Sequence, residues 1–360
     1  MIKKIAIKNF RCFEDFEMDG LAPITIIGGK NNSGKTALLE SLIVPMSQKS
    51  PSVFLDLISW RTIGKSTISS RQMWNSFFYN LDDTENFSIT ISFEVADEFQ
   101  FAATKQYDSV INPSAQSQKI FSESGEKIFS SVKITTKFQQ DIFKGEYILP
   151  NKLYSEVADV KFQSDEKNPA VLLPYGAVTF YRNITLGSTL AESVSKIGLN
   201  RKKKNLLIET MQKFDSEISD INTVLESGTP FVYVTLNSGK HFPINYMGDG
   251  INKAVEILID ILNLPNGILL IDEAENGFHY SVYEKLLRIF FETAMQVNCQ
   301  IIMTSHSREF IESVLNVMKE MQKLNDLSYQ RLGYLKGKRK AFNFSGDSLF
   351  NAFETNMEVR

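Results

Sequence analysis

Cysteine, histidine and tryptophan are scarce in this chain, and long apolar runs are missing. The 360 residues include two cysteines, three histidines and two tryptophans. Two cysteines, Cys12 and Cys299, exclude a disulfide scaffold and a cysteine-rich zinc site, and they fit a reducing, cytoplasmic compartment. No stretch approaches the roughly 18 apolar residues of a membrane span. The best one, 251–271, is broken by Lys253, Glu256, Asp260, Asn263 and Pro265. The opening Met-Ile-Lys-Lys-Ile-Ala-Ile-Lys has too short an apolar run for a secretion signal. A net charge of −3 gives no overall pull toward nucleic acid, so DNA contact needs a local basic patch. What is present, 43% hydrophobic and 22% charged residues, is enough for a sizeable core in one large domain with insertions or in two or three domains.

The pattern along the chain is mixed α/β. Ile5 and Ile7 alternate with polar residues, and Ile24 to Ile27 form a short apolar run ending in Gly28-Gly29. Leu38, Leu39, Leu42 and Ile43 then repeat at helical spacing. Strict alternation from Phe87 to Val95, and further alternating runs near Val132, Tyr147, Val160 and 177–181, predict an antiparallel sheet inserted after this first helix. From Leu190 to Glu226 the pattern reads as helical, broken at Gly198-Leu-Asn200. A strand at Phe231 to Leu236, a helix at about 251–264 and the apolar run Ile268 to Ile271 follow. A helix near 282–294, a strand at 300–303, a helix at 310–324 and a hairpin about Gly337 complete the chain. The expected division is 1–50, first part of the main domain; 51–185, a β-rich insertion; 186–228, a short helical insertion; 229–330, second part of the main domain; and 331–360, a hairpin and tail.

Gly29-Lys-Asn31-Asn32-Ser33-Gly34-Lys35-Thr36 fits GxxxxGK[ST] between a predicted strand and a predicted helix. Glycines let backbone N–H groups converge on phosphates, and the helix N-terminus adds its positive dipole end. Lys35 is placed to reach the β and γ phosphates of ATP, and Thr36 to offer its hydroxyl to Mg²⁺. The run Ile268 to Ile271 ends in Asp272-Glu273, giving one carboxylate for Mg²⁺ and a second to polarise the attacking water. Gln300 to Thr304 leads to Ser305-His306, and His306 is placed to sense the γ phosphate. Lys35 precedes Asp272 by 237 positions, so the site is split around whatever lies between.

Asn9-Phe-Arg-Cys-Phe13 resembles the opening of SMC and RecF-type ATPase heads. The fuller set resembles small prokaryotic OLD-like AAA family ATPases. That set is Gly29 to Thr36, Asn245-Tyr-Met-Gly-Asp-Gly250, Leu270-Ile-Asp-Glu-Ala-Glu-Asn-Gly-Phe-His279, Thr304 to Ser307 and Met357-Glu-Val-Arg360. The resemblance implies an ABC-class P-loop ATPase head of α/β class, carrying an antiparallel β insertion and a short helical one. It also implies a homodimer or higher oligomer closed by ATP, with Gly248, Asp249 and Gly250 contacting the partner's nucleotide and Arg11 beside the bound one. The serine usual in that signature is missing, and a plain helix-capping loop with Asp249 or Gly250 as the cap is the other reading. His279 reads equally as a dimer-face or a surface residue, His241 as structural. Gln72 does not match the context of a lobe-coupling glutamine. Arg201 to Lys204, and Lys336, Lys338, Arg339 and Lys340, are candidate DNA contacts or simply solvated faces. Only 54 residues follow His306, so a second activity is expected from a separate effector protein, in DNA maintenance or anti-phage defence. The alternative is a slowly hydrolysing ATP-binding scaffold.

Overall fold

The computed structural model describes residues 1–46, 52–59, 74–81, 86–94, 97–108, 128–148, 161–164, 178–181 and 187–355. Trp60, Gln72 and residues 357–360 lie outside them. The chain begins with strands β1 (Ile2–Phe10), β2 (Phe13–Asp19) and β3 (Ile24–Gly29), then helices α1 (Lys35–Ile43) and α2 (Ser52–Ser59). Strands β4 (Asn86–Phe93), β5 (Glu98–Asp108), β6 (Ile128–Phe138), β7 (Asp141–Ile148), β8 (Lys161–Ser164) and β9 (Val178–Tyr181) follow.

The antiparallel sheet is larger than an insertion. Its order is β2-β1-β4-β5-β6-β7-β8, so the first two strands are part of it and β1 pairs with both β2 and β4. The alternating burial of Ile5, Ile7, Ile89 and Ile91 explains why: these side chains share one face and bury together against α1 and an aromatic cluster. In that cluster Trp74 lies 4.9 Å from Phe54 and 5.3 Å from Tyr147, ring centre to ring centre.

Helices α3 (Gly187–Gly198) and α4 (Arg201–Gln212) form the expected helical pair, but the helical reading fails after Gln212. Residues Ile218–Glu226 are strand β10, which pairs in a hairpin with β11 (Thr229–Leu236), and β12 (His241–Pro243) completes a three-stranded sheet. Ile218, Ile221, Thr223 and Val224 favour strand, and Ser227 and Gly228 take positive φ (51° and 84°), the backbone of a tight hairpin turn.

The remaining elements are α5 (Asp249–Asn263), β13 (Ile268–Ile271), α6 (Tyr283–Val297), β14 (Gln300–Thr304), α7 (Arg308–Glu320), β15 (Leu327–Leu335), β16 (Lys338–Ser345) and α8 (Gly346–Glu354). A six-stranded sheet has the order β16-β15-β3-β14-β13-β9, parallel from β15 to β9. Two expectations change here. Strand β9, read as part of the antiparallel array, lies parallel to β13 instead. The terminal hairpin is no appendage either: β15 pairs with β3 along its length, and the expected tail holds α8. No described helix is long and apolar enough to cross a membrane.

On α5, burial beside the Glu256 charge pushes the Asp260 carboxyl up to about 7. The unfolded chain holds this carboxyl near the ordinary value, so the folded state binds the extra proton between about pH 4 and 7. Stability therefore falls as pH rises through that window, and the penalty is complete above pH 7. Asp260→Asn is expected to raise stability by about 1–3 kcal/mol at pH 8 and by much less at pH 4, measured by denaturant unfolding at both pH values.

Candidate nucleotide site

The loop 29–36 turns sharply because three of its residues take positive φ: Gly29 (139°), Asn32 (63°) and Gly34 (105°). A Cβ on Gly29 would come within 2.7 Å of the Leu332 carbonyl oxygen, so a side chain there would wedge β3 from β15. Lys30, Asn31 and Asn32 are exposed at the rim, whereas Ser33 is buried. The Ser33 hydroxyl has no hydrogen-bond partner among the described residues, a polar atom left for a ligand oxygen. Lys35 Nζ donates to the carbonyls of Gly29 (2.9 Å) and Lys30 (3.2 Å). Burial lowers its pKa, and the carboxylates of Glu275, Asp272 and Glu273 act against that shift.

The split halves meet. Thr36 Oγ1 donates to Asp272 Oδ2 at 2.9 Å, across 236 positions of sequence. Thr304 Oγ1 donates to Asp272 Oδ1 at 2.7 Å and accepts the Glu273 N–H at 2.8 Å. Glu273 is exposed and held in the left-handed region (φ 51°), which turns its side chain away from the direction β13 was running. Asn276 Nδ2 donates to Glu273 Oε2 at 2.5 Å. Two hydroxyls around one carboxylate are hard oxygen donors, a set that fits Mg²⁺.

Residues 275–279 fold back on the end of β14. Glu275 is 6% exposed, and its Oε1 accepts the His306 N–H at 2.9 Å and stands 2.9 Å from His306 Nδ1. The His306 ring is half exposed, fixed at one nitrogen and open at the other. The sequence alone offered Glu275 only as the start of a loop, 275–279, that resembles a dimer contact, and it gave Thr304 no individual role. The signal for Thr304 was register: Met303 pairs with Ile271, which sets the next residue of β14 beside Asp272.

Gly248 (φ 93°) is the N-cap of α5 and brings no side chain to its first-turn N–H groups, so the cap is neither Asp249 nor Gly250. A Cβ on Gly250 would lie 3.3 Å from the Gly277 carbonyl, so this loop packs on residues 275–279. Lys253 clasps the two together: Nζ donates to the Asn276 carbonyl and lies 5.0 Å from the Phe278 ring centre. Burial pushes Lys253 down to about 8, opposed by Glu275, Glu273 and Glu256. His279 is exposed and its Nδ1 pairs with Ser281 Oγ at 2.8 Å.

Arg11 sits in the β1–β2 turn, whose Cys12 lies against Gly34 of the phosphate loop, and its guanidinium is paired within the chain. Its Nε donates to Glu40 Oε2 at 2.9 Å, its Nη1 to the Ser76 carbonyl at 2.9 Å, and its guanidinium lies 4.1 Å from the Phe77 ring centre. Both Arg11 and Glu40 are buried, so the guanidinium charge is used inside the molecule, where it locks α1 to the β1–β2 turn.

The family model for the AAA ATPase domain matches residues 1–174 and 183–311. The chain belongs to this family. It is an ATPase. It is 26% identical over 341 residues, 89% of each chain, to a protein of Helicobacter pylori named ATP/GTP phosphatase. A shorter stretch of 94 residues is 33% identical to an OLD nuclease of Thermus scotoductus and covers 26% of the ATPase but 15% of that protein. Among solved structures, the SMC head domain of Thermotoga maritima covers 96% of the ATPase and 99% of its own chain, with a TM-score of 0.46 and 11% identity. The SMC head bound to ScpA from Pyrococcus furiosus gives 99%, 99%, 0.48 and 10%.

Proposed function

We propose that this ATPase is a switch that dimerises on ATP and acts on a separate effector protein, in DNA maintenance or anti-phage defence. The observation that carries it is the amino end of α5, where Gly248 brings no side-chain cap, clasped by Lys253 to the loop whose Asn276 holds Glu273. Uncapped N–H groups at a helix start suit a phosphate, and a partner subunit's γ phosphate is the one they would meet. Within one subunit, Lys35 binds the β and γ phosphates, Thr36 and Asp272 hold Mg²⁺, and Glu273 takes the proton of the attacking water. His306, steadied by Glu275, hydrogen-bonds the γ phosphate. A Mg²⁺ held by Thr36 and Asp272 would supply positive charge against the charge that develops on the phosphate oxygens. ADP lacks the phosphate that contacts both subunits, and that difference in affinity gives the switch its two states.

The name of the Helicobacter pylori relative supports triphosphate hydrolysis with GTP as a second substrate. DNA is a further ligand in this reading, through Lys336, Lys338 and Lys340 on the β15–β16 hairpin and Arg201 and Lys202 on α4. Lys203 and Lys204 contribute less, because they bond Asn263 and Asp220 on their own surface. The slow-scaffold reading has one observation in its favour, the Asn276 amide on the Glu273 carboxylate. Steady-state phosphate release separates the two.

The dimer itself is tested by light scattering with Glu273→Gln. The variant is expected to stay at dimer mass in ATP while the wild type returns to monomer as ATP is consumed. A variant that remains monomeric in saturating ATP would overturn the switch.

A further inference from the structure

The placement of the hydrolytic groups fixes which way a nucleotide lies. Asp272, Glu273 and His306 follow β13 and β14, on one side of β3. Strand β15 lies on the other side of β3, with Leu332 beside Gly29. A triphosphate threaded along 29–36 with its γ end at β13 and β14 therefore sends its ribose and base toward the β15–β16 hairpin.

An aromatic ring and a cation stand there. Tyr334 is two residues beyond Leu332 and shares its face of β15, the face on which Gln330 reaches the Asp19 carbonyl of β2. The neighbouring Leu335 points to the opposite face, so the ring is not part of a continuous apolar patch. Tyr334 is 57% exposed. Arg339, its cross-strand partner, holds its guanidinium 5.1 Å from the ring centre and donates from Nη1 to the Cys12 carbonyl at 2.5 Å. Cys12 Sγ in turn sits 2.9 Å from where a Cβ on Gly34 would be. Ring, guanidinium, β1–β2 turn and phosphate loop thus form one continuous surface. The Arg339 Nε is buried and has no hydrogen-bond partner among the described residues, a donor left over after the Cys12 bond.

We propose that Tyr334 and Arg339 form the base and ribose end of the nucleotide site, with a purine stacked on the tyrosine ring and the guanidinium beside the sugar and α phosphate. The proposal rests on reading 29–36 as a triphosphate site. A stacked ring offers every base a π-face, so this subsite adds affinity without choosing between ATP and GTP. Arg339 keeps the ring in place from one side and supplies the positive charge that an α phosphate needs.

The test is calorimetric binding of MgATP and MgGTP to the full chain, together with displacement of ATP by magnesium tripolyphosphate, which carries the phosphates without sugar or base. Tyr334→Ala is expected to weaken ATP and GTP by the same factor, about tenfold, and to leave tripolyphosphate unchanged. Tyr334→Phe is expected to bind as the wild type does, within about twofold, because the π-face remains. Arg339→Ala is expected to weaken both nucleotides more than tripolyphosphate. Unchanged ATP affinity in Tyr334→Ala, or equal weakening of ATP and tripolyphosphate, overturns the subsite. Lys35→Ala reports on the underlying reading: it should lose both ligands, and if it binds tripolyphosphate normally, the phosphate site has been misplaced and the subsite falls with it.

Discussion

Asp272→Asn is expected to lower steady-state phosphate release by about 10²–10⁴-fold while the chain stays folded and still binds ATP. The carboxylate is 6% exposed and accepts one threonine hydroxyl on each oxygen, Thr36 at 2.9 Å and Thr304 at 2.7 Å. Asparagine fills the same volume and can still accept from Thr304. Its amide group then faces Thr36 as a donor, and the negative charge that attracts a divalent cation is gone. A metal in such a site supplies several kcal/mol of transition-state charge stabilisation, which sets the size of the loss. ATP binding measured without Mg²⁺ should match the wild type, because 29–36 is untouched. Phosphate release within a few fold of wild type would remove Asp272 from the mechanism.

Glu275→Gln is expected to cut kcat by about 10–100-fold, the usual scale for a group that orients a working residue. Its effect should vanish in a His306→Ala background. Glu275 binds both the backbone N–H and the ring Nδ1 of His306, so the two residues act as one unit, and their losses should not add. Fully additive losses would mean that Glu275 acts by another route. The same substitution carries a pH signature in stability. Lys253 titrates at about 8 in the folded chain and at its higher ordinary value when unfolded, so its buried charge costs stability below pH 8 and the cost lifts toward pH 10. Glu275 is the foremost carboxylate offsetting that cost. The deficit of Glu275→Gln relative to wild type, read from denaturant midpoints, should therefore shrink between pH 7 and pH 9.5.

What the sequence made legible was local and rule-bound. The loop 29–36 is recognisable because phosphate binding needs glycines at fixed spacing. Ile268 to Glu273 is recognisable because a phosphate loop needs carboxylates at the end of a buried strand to hold its metal and activate water. The helices after residue 249 followed their apolar period closely. Residues 218–226 were misread because four β-branched side chains in nine can be fitted to a helical period until the turn at Ser227-Gly228 is given its hairpin weight. The bonds of Thr304 to Asp272 and of Glu275 to His306 were invisible for a different reason. Their roles arise from register between β13 and β14 and from a loop folding back on a strand end, and no spacing along the chain encodes either. Arg11 shows another limit: the motif that carries it says nothing of Glu40, five residues beyond Lys35 on α1, whose carboxylate pairs with its guanidinium.

The position of β3 inside its sheet also dictates when the site can exist. Both of its neighbours, β14 and β15, come from residues after 299, so the strand that carries the phosphate loop has two open edges until those residues have been made. At a synthesis rate of about 5–20 residues per second, the stretch between β3 and β14 takes roughly 14–54 s to make. The side chain of Gln300 tightens the dependence, because its amide bonds the backbone of Ile2 from both sides, at 2.8 and 2.9 Å. Strands β1 and β14 are thus completed together, and a nascent chain that stops before Gln300 carries Lys35 and Thr36 with no site to place them in.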